Sequence, residues 1–157
     1  MIKNLLPYIR IARIDHWFKN IFMLPGTGLA VILSTEHMST HIGSILAAFS
    51  CLCLLASANY TINEWLDAKY DKFHPVKKDR PSVTGQVKGS WVLVQYLLLI
   101  TIGLFIASNL PTAFFATACV FILMGLIYNV PPVRSKDRAY LDVLSEALNN
   151  PLRLLMG

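Results

Sequence analysis

The 157-residue chain is 55% apolar and only 15% charged, with a mean hydropathy of +0.52. Soluble domains carry roughly 25% charged residues, so this composition excludes an ordinary water-facing domain and points to lipid as the solvent. The formal net charge of +5 does not mark a nucleic-acid binder, because the basic residues are confined to short blocks between apolar stretches.

In chain order, residues 1–17 open with an amphipathic stretch, Ile2–Ile14, expected to lie as a helix in the membrane interface. Five apolar stretches follow, at Phe18–Leu33, Ile42–Ile62, Trp91–Ser108, Thr112–Tyr128 and Leu141–Gly157. Each is near the roughly 17–25 residues that cross a bilayer as a helix. The first is the weakest of the opening four, because Lys19, Asn20 and Pro25-Gly26 interrupt it. No Ala-x-Ala-like site follows it, so it reads as a span and not as a cleaved leader. Cys51, Cys53 and Cys119 lie inside apolar runs without metal-ligand spacing and read as small packing residues.

Charge placement sets an orientation. The connections Ser34–His41 and Asn109–Pro111 hold no Lys or Arg. Lys3, Arg10, Arg13 and Lys19 precede or open the first stretch. Lys69, Lys72, Lys77, Lys78, Arg80 and Lys88 fill the second connection, and Arg134, Lys136 and Arg138 the fourth. The positive-inside rule makes that side cytoplasmic, which predicts a multi-pass inner-membrane protein with its N-terminus and both long loops in the cytoplasm. Only Arg153 breaks the pattern. It shares the last stretch with Asp142, Glu146, Asn149 and Asn150, all costly in lipid unless they face protein or a water-filled cavity. Those polar residues, with the abrupt end at Gly157, lead to the expectation of a fragment or truncated gene.

The chemistry is concentrated in Asn63-Glu64-Trp65-Leu66-Asp67-Ala68-Lys69-Tyr70-Asp71. Asn63, Asp67 and Asp71 fall at i, i+4 and i+8, hence on one helix face over about 12 Å of rise. A carbonyl and two carboxylates in a row suit Mg²⁺, which prefers oxygen and leaves positions to water and substrate phosphate. Solvated acids on an emerging helix are the plainer alternative. Like charges at i, i+4 destabilise a helix unless something positive lies between them. A basic segment, His74-Pro75-Val76-Lys77-Lys78-Asp79-Arg80-Pro81, follows at once. Carboxylates for a metal beside Lys and Arg for phosphate oxygens are what a diphosphate–Mg²⁺ complex requires. Pro75, Pro81 and Gly85 stop the segment from extending the helix, so its side chains can fold back over the acidic face. The triplet Lys136-Asp137-Arg138 echoes Lys78-Asp79-Arg80, as if both loops covered one site.

These residues resemble a known family. Asn63-Glu64-x-x-Asp67-x-x-x-Asp71, with Lys77, Arg80-Pro81 and Gly85 after it, resembles the first aspartate-rich motif and following loop of UbiA-type prenyltransferases. Tyr128-Asn129-Val130-Pro131-Pro132-Val133-Arg134-x-Lys136 resembles that family's turn after the fourth helix. Arg13-x-x-x-Trp17-x-Lys19-Asn20, with the His74-Pro75 spacing, is similar to the branch that makes decaprenylphosphoryl phosphoribose. The resemblance implies an all-α polytopic transmembrane helix bundle of about nine spans, of which residues 1–157 would hold four to five. Residues 64–90 would form a cytoplasmic acidic and basic active-site loop. It further implies metal ligation by Asn63, Asp67 and Asp71, with the two aspartates catalytic and Mg²⁺ as cofactor. Lys77, Arg80, Lys19, Asn20 and Arg138 would bind substrate. Glu64 stands where most members carry Asp. The family's second aspartate-rich motif lies beyond residue 157, so this chain by itself is expected to be inactive.

The expected function is transfer of a prenyl group from a polyprenyl diphosphate to an acceptor within the bilayer. Transfer from phosphoribosyl diphosphate to a polyprenyl phosphate is the alternative. A membrane carrier or proton pathway would need ionisable residues at mid-membrane in several spans, and Trp91–Ser108 and Thr112–Tyr128 have none. CDP-alcohol phosphotransferases need an Asp-Gly pair and an Ala-Arg ahead of the aspartate, both missing before Asp67. The oligomeric state is open.

Overall fold

A computed structural model describes residues 5–33 and 38–157. Lys3, the first residues of the amphipathic stretch and half of the Ser34–His41 connection lie outside the described residues. Among the described residues the chain is helical and contains no strand. Six α-helices form, α1 Leu6–Ile11, α2 Met23–Leu33, α3 Ile42–Asp71, α4 Gly89–Ala107, α5 Thr112–Asn129 and α6 Ala139–Leu155.

The amphipathic stretch is shorter than its pattern predicts. Helix α1 begins with Pro7 in its first turn and ends before Arg13, whose φ of 48° is left-handed. A residue there cannot continue a right-handed helix. The chain resumes as a 3₁₀ run, Ile14–Phe22, whose Trp17 Nε1 donates to Ser57 Oγ at 2.8 Å, docking the run onto α3. The α-helical part of the first stretch therefore starts only at Met23. Pro25 fits in the first turn of α2 because amides there have no intrahelical acceptor.

Three helices, α3, α4 and α5, are long and apolar enough to cross a membrane. Helix α2 has 11 residues and α6 has 17, with Asp142, Glu146 and Arg153 along it, so these two fall short on length or polarity. Helix α3 is the axis of the molecule. Its 30 residues rise about 45 Å, more than the roughly 30 Å hydrocarbon core, so the last turns project past the apolar zone and carry the acidic ladder. Residues 64–71, expected within a loop, are these last turns.

Small residues let α3 pack closely. Cys51, Cys53, Ala56, Ser57 and Ala58 are buried along it, and Leu55 sits over Gly103 of α4, where an added Cβ would lie 2.4 Å from Leu55 Cδ2. Cys51 Sγ bonds to Gly103 O at 3.2 Å, and all three cysteines are free thiols. Close approach of backbones through small side chains drives helix association where lipid removes the hydrophobic force. Phe121 and Ile122 of α5 and Met156 after α6 complete the core. Leu97, Phe105 and Leu123 point outward, as helix faces toward acyl chains require.

Candidate functional site

The ladder ends α3 where two loops fold over it. Residues 72–88 turn back through a 3₁₀ turn at Lys77–Asp79 and a left-handed Gly85, φ 73°. A side chain would strain that glycine's backbone. Three contacts hold the loop against the helix. Arg80 Nη1 donates to Asp71 Oδ2, Lys77 Nζ lies 3.9 Å from Asp71 Oδ1, and Ser82 Oγ donates to Glu64 Oε1 at 3.0 Å. The basic segment thus folds back over the acidic face.

The second loop, between α5 and α6, covers the next rung. It contains a cis Pro131-Pro132 bond and a left-handed Arg134, φ 35°, before the 3₁₀ turn Ser135–Asp137. Arg134 Nη2 donates to Asp67 Oδ1 at 2.8 Å while its Nε is held by Asp137 Oδ2 at 2.8 Å. Lys136 Nζ reaches the same Asp67 Oδ1 at 2.6 Å. It also donates to Asn63 Oδ1 and Asn129 Oδ1, each at 3.0 Å. Each loop therefore gives one Arg and one Lys to one aspartate, Arg80 and Lys77 to Asp71, Arg134 and Lys136 to Asp67. Arg13 completes the set, its Nη2 3.6 Å from Glu64 Oε2.

Lys136 is the informative residue. Three side-chain oxygens, one of them anionic, converge on its ammonium. Burial pushes its pKa down, and the Asp67 carboxylate beside it opposes that shift. Such a donor set is hard, oxygen-only and selects for a cation. Among the described residues no three His, Cys, Asp or Glu side chains gather at metal-binding distance. A divalent ion would therefore take Asn63 and Asp67 and complete its shell with water and phosphate, the arrangement Mg²⁺ favours. Asp71 is buried and already held by two cations.

Below the ladder, towards the core, lies a cavity of about 530 Å³. Asn63, Asn59, Tyr128, Asn129, Asn149, Asn150, Glu146 and Arg153 line it, with Arg13, His16 and Lys19 along the N-terminal run. Asn59 stands one turn below Asn63 and extends the ladder inward as a fourth rung. Gly125 makes room for it, since a Cβ there would lie 2.1 Å from Asn59 Oδ1. The rungs change from carboxylates at the loop-bearing end to amides inside. Asn59 Oδ1 and His16 Nδ1 are buried without a hydrogen-bond partner.

The residues expected to bind substrate fare differently. Lys77 and Arg80 are at the ladder, and Lys19 lines the cavity. Asn20 is buried and acts as a buttress, donating to Cys53 Sγ and accepting from Arg153 Nε, both at 3.2 Å. Arg138 is exposed at the start of α6 and does not line the cavity. The structure puts Arg134 and Lys136 in the place expected of Arg138. Their signal was the Tyr128–Lys136 turn, and Lys136 also opens the recurring charge triplet. Asn59 gave a signal in its i−4 spacing from Asn63, and Asn129 stands in the turn motif without a role assigned to it there.

Comparison with known proteins bears on this arrangement. Residues 23–157 match the family model described as UbiA prenyltransferase family. The chain is 28% identical, over 97% of its length, to Nodulation protein NoeC of Azorhizobium caulinodans, and spans 47% of that protein. It is also 28% identical, over 99% of its length, to decaprenyl-phosphate phosphoribosyltransferase of Mycolicibacterium smegmatis, spanning 48% of it. A solved structure of a UbiA homolog from Archaeoglobus fulgidus bound to GPP and Mg²⁺ superposes with a TM-score of 0.77 at 19% identity. That match covers 96% of this chain and 52% of the other, and it shows the fold. The chain spans about half the length of the curated relatives it matches.

Proposed function

The chain belongs to the UbiA prenyltransferase family, and from that premise we propose that it forms the diphosphate-activating half of a membrane-embedded, Mg²⁺-dependent transferase. The observation that carries this reading is the convergence of Asn63, Asp67 and Asp71 with two Arg–Lys pairs from two loops over one cavity. Asn63 and Asp67 would hold Mg²⁺, with Asp71 ordering the loop that carries Lys77 and Arg80. The ion, when bound, neutralises charge developing on the departing diphosphate.

The remaining work belongs to the side chains. Arg80, Lys77, Arg134 and Lys136 exchange carboxylate partners for phosphate oxygens, replacing one charge-assisted hydrogen bond with another. Asp67, released by Arg134 and Lys136, becomes available to the cation beside Asn63. The cavity then excludes bulk water from the bond being broken, which limits loss of the activated group to hydrolysis.

The donor divides into two readings. A polyprenyl diphosphate needs an apolar tunnel beside the ladder. The lining of this cavity favours the second, phosphoribosyl diphosphate transferred to a polyprenyl phosphate. Asn59, Asn63, Asn129, Asn149 and Asn150 bring amides to its lining, the kind of group that hydrogen-bonds a sugar donor. Each radiolabelled donor, supplied with a common acceptor set to membranes holding the protein completed by a half that carries the second aspartate-rich motif, separates the readings. Label should pass to lipid from phosphoribosyl diphosphate. Transfer from polyprenyl diphosphate alone would reverse the donor, and transfer from neither would remove the transferase reading.

The loops and the ladder are proposed to face the cytoplasm, in an inner-membrane protein, on the strength of the basic clusters around them. Single cysteines placed at positions 37 and 74, in a background without the native three, should label from opposite faces. Equal labelling of both from outside would overturn the orientation.

A further inference from the structure

Arg153 has no part in the diphosphate site, yet it is among the most constrained charges in the molecule. It is 8% exposed, near the end of α6, and it lines the same cavity as Asn59 and Asn63. Its Nε donates to Asn20 Oδ1 and its Nη1 to Asn150 Oδ1, each at 3.2 Å, and its guanidinium lies 5.6 Å from the centre of the Phe121 ring. All of these partners are neutral. Among the described residues no carboxylate lies within 4.0 Å of it. Glu146, the one acid lining the cavity, stands two turns away along α6 and makes no ion pair with it.

A buried, unpaired cation is expensive in a protein interior and in a membrane. Here two amides and an aromatic face hold it in one orientation, without the counter-ion that would offset the cost. Asn20, itself 1% exposed, is fixed in turn by Cys53, so the guanidinium is supported from behind. Two of its five N–H donors are used in these bonds. A rigid donor fork beside a cavity matches the paired oxygens of a phosphate.

The position separates this cation from the ladder. Asn20 ties Arg153 to Cys53, which precedes Asn63 by ten residues on α3, about 15 Å of helical rise. The cavity therefore has a cation-seeking end at Asn63, one turn of α3 before Asp67, and an anion-seeking end at Arg153. We propose that Arg153, buttressed by Asn20 and Asn150, is a second anion site that binds a phosphate monoester during the reaction. The monoester is carried either by a sugar-phosphate donor or by a lipid-phosphate acceptor. The inference rests on the transferase reading only for the ligand at the opposite end.

The test uses the full 157-residue chain in lipid nanodiscs, with binding followed by Trp fluorescence and thermal shift. The probes are ribose 5-phosphate and decyl phosphate, with ribose and decanol as uncharged controls. At least one phosphate should bind while its uncharged counterpart does not. Arg153→Gln should weaken that binding at least tenfold, and Arg153→Lys, which keeps the charge and loses the fork, should weaken it less. A response to ribose 5-phosphate assigns the site to the donor, and a response to decyl phosphate assigns it to the acceptor. Failure of both phosphates to bind, or equal affinity in wild type and both variants, overturns the proposal. Mg²⁺-pyrophosphate, titrated on wild type and Asp67→Asn, tests the ladder separately. Its failure alongside Arg153-dependent monoester binding would remove the transferase reading and leave this one standing.

Discussion

Asp67→Asn is expected to lower kcat/KM for transfer by roughly a thousandfold, because metal-assisted departure is worth several kcal/mol of transition-state stabilisation. The substitution preserves shape, so the loss isolates charge. Asp67 is the rung on which Arg134 and Lys136 both close, at 2.8 and 2.6 Å. It is also the one anionic oxygen among the three that surround the Lys136 ammonium. An amide there still offers an oxygen, but it no longer attracts a divalent ion or organises two cations for the leaving group. The loss should fall on kcat as well as on KM and should be accompanied by a higher Mg²⁺ requirement. Steady-state kinetics over a Mg²⁺ series, on the protein completed by a half that carries the second aspartate-rich motif, decides it. A variant with near-normal kcat would reduce the ladder to a solvated helix end.

Gly26→Val is expected to cost about 1–3 kcal/mol of stability, the usual range for forcing extra atoms into a packed site, and to act far from the ladder. A Cβ at Gly26 would lie 1.9 Å from Leu154 O and 3.4 Å from Gly157 Cα. The obstructing atoms are backbone, so no rotamer change relieves the clash and α2 must move away from the end of α6. That movement would open the core around Met23 and Met156 and disturb the neighbouring Arg153. Gly28→Val is the matched control, since a Cβ at Gly28 meets nothing within 4 Å. Thermal denaturation of both variants in detergent should show a large loss for the first and little change for the second. Equal behaviour would mean that α2 and α6 do not meet as described.

The sequence by itself determined the features that depend on local periodicity and composition. Apolar run length marked five candidate spans, among them the three long ones, α3, α4 and α5, because a backbone in lipid must bond within its own helix and its side chains must be apolar. The i, i+4, i+8 spacing put Asn63, Asp67 and Asp71 on one face, because helix geometry alone sets that alignment. Family membership was legible in the same residues, and it was legible in motif order, which survives at low overall identity. The prolines and Gly85 announced a loop able to fold back, since their backbone preferences are local too.

Only the tertiary structure decided which cation meets which rung. Lys136 and Asn63 are 73 residues apart, and Arg153 and Asn20 are 133 apart, so no local pattern encodes their contact. The shift from Arg138 to Arg134 and Lys136 followed from a left-handed Arg134, a backbone state that the charge triplet does not reveal. The first stretch read as the weakest span, interrupted by Lys19, Asn20 and Pro25-Gly26, and its opening residues form a 3₁₀ run docked through Trp17. Helix type in so short a segment is set by what packs against it, and propensity has little say. The polar residues of the last stretch could be recognised as costly from sequence. That Asn149, Asn150 and Arg153 line a shared cavity depended on where α6 came to rest against α2 and α5.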